Sequence, residues 1–511
     1  MERFAAMADF LADPATHGGA AVERIDTHTA VVIMAGDRAW KLRRPVDYGF
    51  LDYSTRTRRW DAARREIALN DRTAPGLCIG IATVAGEPGA FRLDPPEAAN
   101  TAAEPVVLMN RFDGRDLFDR MAEDGRLTTT LLRATGRAVG AMHKAAEAVP
   151  SPIRLPDFAT NEATQLTDLA PVLGPGVLEL AQQLREAGAN LGPIAAQRPC
   201  RRCHGDLHLR NIVLWRGRPA PFDGIDFNDA ISDIDPLYDL AFLLMDLQHR
   251  GHAELKSAVF NAWAEAMAAN PGAQEDVAYA GLALLPFYQA CRAAIRAKVD
   301  GLGAAKVPAE ARGAMVAEAQ EYLDQAHSLL SNPRQPYLLA VGGLSGSGKS
   351  TLAHALASKI GAVVLRTDAI RKGLHGVAET ERLPPEAYSR DASDRVYDTL
   401  LRRAGMALSG NATVILDAAH LRAQERDRAE SLAAEHGAAF AGLWLDAPLH
   451  TLRDRVEERR GDVSDATPHV VTVQSGYDLG PIHWHRLDAA TGADAVAATA
   501  IAHLPTTPRE R

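Results

Sequence analysis

Cysteine is scarce in this chain. Cys78, Cys200, Cys203 and Cys291 are its only four, too few and too scattered for a disulfide framework. No unbroken apolar run approaches the roughly 18 residues that a membrane-spanning helix needs, so no membrane partner is expected. The opening MERFAAMADFLADPATHGG has no basic stretch followed by continuous apolar residues. No secretory signal is therefore expected, and a reducing, cytoplasmic setting is the default. Long basic runs are missing too, and the formal net charge is −9. That balance argues against an extended nucleic-acid surface while leaving room for a small basic phosphate pocket. Cys200-Arg201-Arg202-Cys203-His204 fits the C-x-x-C-H pattern of covalent haem attachment, a chemistry that requires export. A zinc site would need a second cysteine pair, so both thiols are read as structural.

At 511 residues the chain exceeds what one core supports, and roughly 150 residues per domain suggests three folding units. The most informative stretch is 204–228, HGDLHLRNIVLWRGRPAPFDGIDFN. Asp206 precedes Asn211 by five residues, and Asn211 opens an apolar strand at 212–215. A turn at 216–219 leads to a second strand read as ending in Ile225-Asp226-Phe227. Phosphoryl transfer from a nucleotide needs such parts: a carboxylate to orient the attacking hydroxyl, and an amide and a second carboxylate to hold Mg²⁺. H-x-D-L-x-x-x-N followed by a strand-terminal Asp is the protein-kinase pattern, with Gly205 where those enzymes have Arg. In this form it resembles the aminoglycoside phosphotransferase-like kinases. The resemblance implies Asp206 as the catalytic carboxylate and Asn211 and Asp226 as metal ligands.

Upstream, residues 29–34 (TAVVIM) and 39–42 (AWKL) flank an Ala-Gly-Asp-Arg turn and read as a hairpin. Lys41 lies in its second strand, with Trp40 and Leu42 directed to the other face. A helix capped by Ser54 follows, with Trp60, Ala63 and Ile67 on one stripe and Glu66 beside it. A strand lysine held by a helical glutamate is the phosphate-positioning ion pair of kinases, so Lys41 and Glu66 are nucleotide-site candidates. No G-x-G-x-x-G loop precedes Lys41, which fits the aminoglycoside-kinase resemblance and argues against a protein kinase. Residues 106–109 (VVLM) read as a buried strand. The resemblance makes Leu108, Met109 and Asn110 candidates for the adenine-contacting hinge. Residues 113–330 are otherwise mostly helical by periodicity. Asp239 either buttresses the catalytic loop, as the resemblance implies, or stabilises a helix N-terminus.

Residues 331–336 (SNPRQP) read as a linker. Beyond it a buried-strand run, 337–341, leads into Gly343-Leu344-Ser345-Gly346-Ser347-Gly348-Lys349-Ser350-Thr351 and then a helix. This is G-x-x-x-x-G-K-[ST] between the strand and helix it requires. Backbone N–H groups wrap the phosphates, Lys349 reaches the β/γ oxygens and Ser350 binds Mg²⁺. Thr413-Val414-Ile415-Leu416-Asp417 is a second buried strand ending in an acid, which makes Asp417 the candidate for supporting the metal. Residues 363–371 (VVLRTDAIR) resemble the second strand of small-molecule P-loop kinases of the gluconate-kinase, chloramphenicol-phosphotransferase and zeta-toxin types. That likeness implies Asp368 as the residue orienting the acceptor and Arg371 as a substrate or phosphate contact. Arg455 and Arg459 lie one helical turn apart, and with residues 460–465 they resemble the lid of these kinases. Residues 506–511 read as a frayed tail.

The chain is thus identified as resembling a bacterial fusion family, α/β and α+β multidomain. A bilobal kinase-like domain (1–112 and 113–330) precedes a P-loop domain at 337–505 with a parallel sheet flanked by helices. The implied activity is ATP- and Mg²⁺-dependent phosphoryl transfer at two sites to small-molecule hydroxyl acceptors. The competing readings are a nucleotide-binding regulator and a polynucleotide-end kinase in the second domain. Acceptor identity, nucleotide preference and oligomeric state are left open by the sequence.

Overall fold

A computed structural model describes residues 2–49, 51–150, 154–268, 276–331, 335–378, 380–458 and 463–505. Residues 332–334 of the expected linker and 506–511 of the expected tail lie outside this set. The chain divides into two compact units. The first gathers Met1–Leu127, Ala145–Pro150 and Cys200–Leu243; the second gathers Thr128–Lys144, Ser151–Pro199 and Leu244–Arg511. The catalytic stretch therefore groups with the N-terminal sheet. Most of the helices expected to share its lobe group with the P-loop sheet.

The first unit is built on a six-stranded antiparallel sheet of order β1-β2-β3-β6-β4-β5. These strands are β1 (Val22–Asp26), β2 (Ala30–Ala35), β3 (Arg38–Arg43), β4 (Cys78–Ala85), β5 (Arg92–Asp94) and β6 (Glu104–Asn110). Period-two patterning drives one face inward: Val31, Ile33 and Leu42 pack with Phe4, Met7 and Leu11 of helix α1 (Glu2–Ala12). Helix α2 (Arg56–Thr73) covers the opposite side, where Ala63 meets Cys78 and Val107. Its cap is Thr55, whose hydroxyl accepts from Arg58 N at 3.3 Å. The expected cap, Ser54, instead donates its hydroxyl to Asp52. A buried ion pair locks α2 onto the sheet, with Arg59 Nη2 2.8 Å from Glu104 Oε2 and Nε on Oε1.

A short hairpin, β7 (Ile212–Trp215) and β8 (Arg218–Pro221), carries the catalytic stretch. Its two-residue turn is Arg216-Gly217, both at positive φ, as a primed turn demands. Strand β8 stops at Pro221 because Asp223 takes left-handed backbone at φ 58°. The strand expected to run on to Ile225-Asp226 does not form. Helix α3 (Pro236–His249) begins in this unit.

The second unit contains a five-stranded sheet of order β10-β11-β9-β12-β13, every pairing parallel. Its strands are β9 (Tyr337–Gly343), β10 (Val363–Arg366), β11 (Val414–Asp417), β12 (Ala439–Asp446) and β13 (His485–Asp488). All seven residues of β9 are buried, as expected for a central strand covered on both faces. Leu339, Val341, Ile415 and Leu443 share a core with Leu356 of a helix described below. Helix α4 (Lys256–Met267) is hydrogen-bonded to β10 and the residue before it. Asn261 donates to Ala362 O at 3.1 Å and accepts from Val364 N at 2.8 Å. No helix among the described residues is long and apolar enough to cross a membrane. The two-domain α/β class read from the sequence holds.

Arg59→Met leaves Glu104 buried without its partner. It is expected to destabilise the first unit by about 3–5 kcal/mol, read as a lowered denaturation midpoint.

Candidate active sites

In the first unit the alternation of β3 puts Lys41 and Arg43 on one face, opposite the buried Leu42. Helix α2 presents Glu66 between them. Lys41 Nζ lies 2.9 Å from Glu66 Oε1, so the expected pair forms, and the second Glu66 oxygen meets Arg43. Lys41 Nζ also lies 2.6 Å from Asp223 Oδ1. Burial by itself would deprotonate Lys41, but Asp223 and Glu66 more than reverse this and keep it charged. Burial likewise works to raise the Asp223 carboxyl, yet Lys41 holds it below the usual carboxylate value.

The loop before β7 is braced from behind. Asp239 of α3 accepts from His204 N at 3.0 Å and Gly205 N at 2.9 Å, so its buttressing geometry is present. Gly205 has φ 83°, and an added Cβ would lie 2.8 Å from the Ile225 side chain, so the position of the protein-kinase Arg must here be glycine. The His204 ring pairs with Phe222 O at 2.9 Å, and Cys200 and Cys203 are buried free thiols. Asn211 Nδ2 donates to Asp206 Oδ2 at 2.9 Å, committing its nitrogen and leaving the amide oxygen to face other groups. Asn211 O accepts from Phe222 N at 3.0 Å, which brings the next residue, Asp223, alongside.

Asp226 is placed differently from the sequence expectation. It is buried, with Oδ2 2.5 Å from Arg43 Nη2 and Oδ1 receiving the Tyr53 hydroxyl at 3.0 Å. Its carboxylate is thus paired with Arg43 and Tyr53, whereas the neighbouring Asp223 stands half exposed beside Lys41. Sequence reading missed Asp223 because the strand was carried three residues too far; the Asp223-Gly224 turn signal was its clue. Arg43 was also missed, although its place two residues beyond Lys41 sets it on the same strand face. The hinge candidates sit at the end of β6. Leu108 opposes Trp40, and Met109 packs with Ala63 and Val107. Asn110 is already engaged, its N–H by Leu77 O and its amide by Gly76 O and Arg38.

In the second unit the loop between β9 and α5 (Lys349–Ile360) has the wrapped form its glycines allow. Gly346 and Gly348 sit at φ 86° and 91°, and an added Cβ at Gly346 would lie 2.4 Å from Leu452 O. Lys349 Nζ bridges Gly343 O and Leu344 O at 2.9 Å each. Ser345 N donates to the Gln474 side chain on α8 (Pro468–Ser475) at 2.9 Å. Gly346, Ser347, Gly348 and Thr351 line a cavity of about 300 Å³ together with Arg455, whose Nη2 donates to Ala489 O. Arg455 belongs to α7 (Leu449–Glu458); Arg459 and residues 460–462 lie outside the described residues.

Strand register sets Arg366 of β10 directly beside Asp417 of β11. Arg366 Nε lies 3.1 Å from Asp417 Oδ2, and its Nη2 lies 3.2 Å from Ser350 Oγ. Arg366 thus touches both expected metal-binding side chains, whose oxygen donors are of the kind a hard cation prefers. Asp368 is half buried in the first turn of α6 (Thr367–Leu374), whose cap residue is Arg366. Arg371, one turn on, is buried over the Tyr388 ring and donates to Ala387 O at 2.6 Å. His420 is fully buried, with both ring nitrogens lacking hydrogen-bond partners among the described residues. Burial, then Lys349 and Arg426, push its pKa down to about 3.

Asp239→Ala strips two buried N–H groups of their acceptor. It is expected to cost about 1–3 kcal/mol per group and to speed amide hydrogen exchange at His204 and Gly205 selectively.

A sequence profile described as a phosphotransferase enzyme family matches residues 56–274, and one described as an AAA domain matches 338–476. Uncharacterized proteins of Mycobacterium tuberculosis and Mycobacterium bovis are 31% identical over 485 residues, covering 91% of this chain and 92% of theirs. Among solved structures, a choline/ethanolamine kinase family protein from Mesorhizobium loti is 18% identical, covers 64% of this chain and 94% of its own, and superposes with a TM-score of 0.40. The APS kinase CysC of Mycobacterium tuberculosis, in complex with AMPPNP and APS, is 25% identical, covers 34% of this chain and 100% of its own, with a TM-score of 0.27. The chain belongs to the family of the mycobacterial proteins, in which an aminoglycoside phosphotransferase-like domain is joined to a C-terminal P-loop kinase-type domain.

Proposed function

We propose that this chain carries two ATP-dependent phosphotransferase sites, each passing the γ-phosphoryl group to a hydroxyl of a small-molecule acceptor. The observation that carries the reading is the Lys41 ammonium held between Glu66 and Asp223 (2.9 and 2.6 Å), in the same compact unit as the Asp206–Asn211 pair. In the first site Lys41 aligns the nucleotide phosphates and Asp206 orients the acceptor hydroxyl and takes its proton as the new ester forms. Asn211 and Asp223 are the residues that would hold Mg²⁺ there. Asp226 supports them through Arg43 and Glu66 rather than by ligation.

In the second site the amides from Gly343 to Thr351 cradle the phosphates, and Lys349 neutralises charge on the transferred group. Ser350 and Asp417 would hold Mg²⁺, Asp368 orients the acceptor, and Arg455 borders the nucleotide cavity. A metal held by these residues would supply positive charge to offset the charge developing on the transferred phosphoryl group. Everything else is positioning by the chain's own groups.

An acceptor screen by mass spectrometry, scoring gain of one phosphoryl group, tests this. Asp206→Ala is expected to slow one set of products by about 10²–10⁴-fold. Lys349→Ala is expected to slow the other by about 10²–10³-fold. ATP binding without turnover of any acceptor would reject the proposal in favour of a nucleotide-binding regulator. Within the first site, Asp223→Asn is expected to abolish Mg²⁺-dependent turnover in a folded protein. Asp226→Asn is expected chiefly to destabilise, by about 1–3 kcal/mol, because Arg43 loses one of its two carboxylate partners.

A further inference from the structure

We infer that Arg366 is a built-in competitor for the divalent cation at the P-loop site, an inference resting on the reading of Ser350 and Asp417 as the metal's protein partners. The guanidinium does not merely neutralise a nearby carboxylate. It spans the Ser350 hydroxyl and the Asp417 carboxylate, so one positive charge touches both oxygen donors. Two cations cannot share that point, and metal entry requires the guanidinium to leave. All three side chains are held by rigid elements. Arg366 ends β10, Asp417 ends the adjacent strand, and Ser350 opens α5.

The displaced arginine has somewhere to go. Arg366 also lines a cavity of about 300 Å³ whose lining includes Glu265 together with Arg137, Lys372 and Arg403. A site of this construction resists metal by itself and yields when phosphate oxygens arrive with the metal and add their share of the coordination. Arg366 thus favours the metal–nucleotide complex over free cation. Burial of both Arg366 and Asp417 makes the competition strong, because an unpaired charge in that environment is costly.

Binding of Mn²⁺ alone to the full chain, read by electron paramagnetic resonance, tests this in wild type, Arg366→Met, Arg366→Lys and Asp417→Asn. Arg366→Met is expected to tighten the Asp417-dependent Mn²⁺ affinity by at least about fivefold, the lower end of usual coupling between two sites. Arg366→Lys, which keeps the charge but cannot span both oxygens, is expected to tighten it less. It also supplies the measurement if the methionine variant does not fold. Asp417-dependent binding that is equal in wild type and both variants overturns the competitor role alone. Binding indifferent to Asp417→Asn overturns the metal-site reading, and the inference with it.

Discussion

A buried carboxylate needs a cation or hydrogen-bond donors to offset its charge, and much of the first unit follows from how Glu66 meets that requirement with cations. Helix α2 can bury Glu66 against the sheet only because β3 offers two cations on one face, Lys41 and Arg43. Each cation then reaches onward, Lys41 to Asp223 and Arg43 to Asp226, so one helical glutamate fixes two loop carboxylates through the sheet. The alternating charges neutralise one another, which makes a dense ionic cluster tolerable at low exposure. The two loop aspartates end up with different freedom. Asp226 is consumed by the network, while Asp223 keeps an oxygen edge toward the open side.

The second unit is built with different material at the corresponding place, its glycine-rich loop. Backbone amides and a helix N-terminus supply the positive potential, and glycines supply the backbone conformations that aim them. The ionic contact beside its glycine-rich loop, Arg366 with Asp417, lies across adjacent parallel strands, where register leaves little choice of partner. Side-chain ion pairs organise the first site; main-chain geometry organises the second. Substitutions should accordingly act through charge in the former and through backbone shape in the latter.

Several parts of both sites were legible because the chemistry is local. Asp206 and Asn211 sit five residues apart on one loop, and the P-loop is a contiguous run flanked by the strand and helix it needs. Lys41 and Glu66 were legible through the kinase pattern, which fixes partners that the spacing cannot. What escaped depends on where a strand stops. A single left-handed residue, Asp223, ends β8 and turns the next carboxylate inward; the Asp-Gly pair marks a turn in the sequence, but not whether the strand stops before it. The cap shifted from Ser54 to Thr55 for a similar reason, since both residues are competent and the helix start decides between them.

The sequence by itself determined the two-domain α/β class, the glycine-rich turn between β9 and α5 and the closeness of Asp206 to Asn211, because these rest on patterning and short-range backbone chemistry. Only the tertiary structure decided which aspartate faces Lys41, that Arg43 holds the other, and that Arg366 spans Ser350 and Asp417. Those outcomes hinge on strand register and on charges brought together from 16 to 183 residues apart, where the distance along the chain says nothing about distance in space.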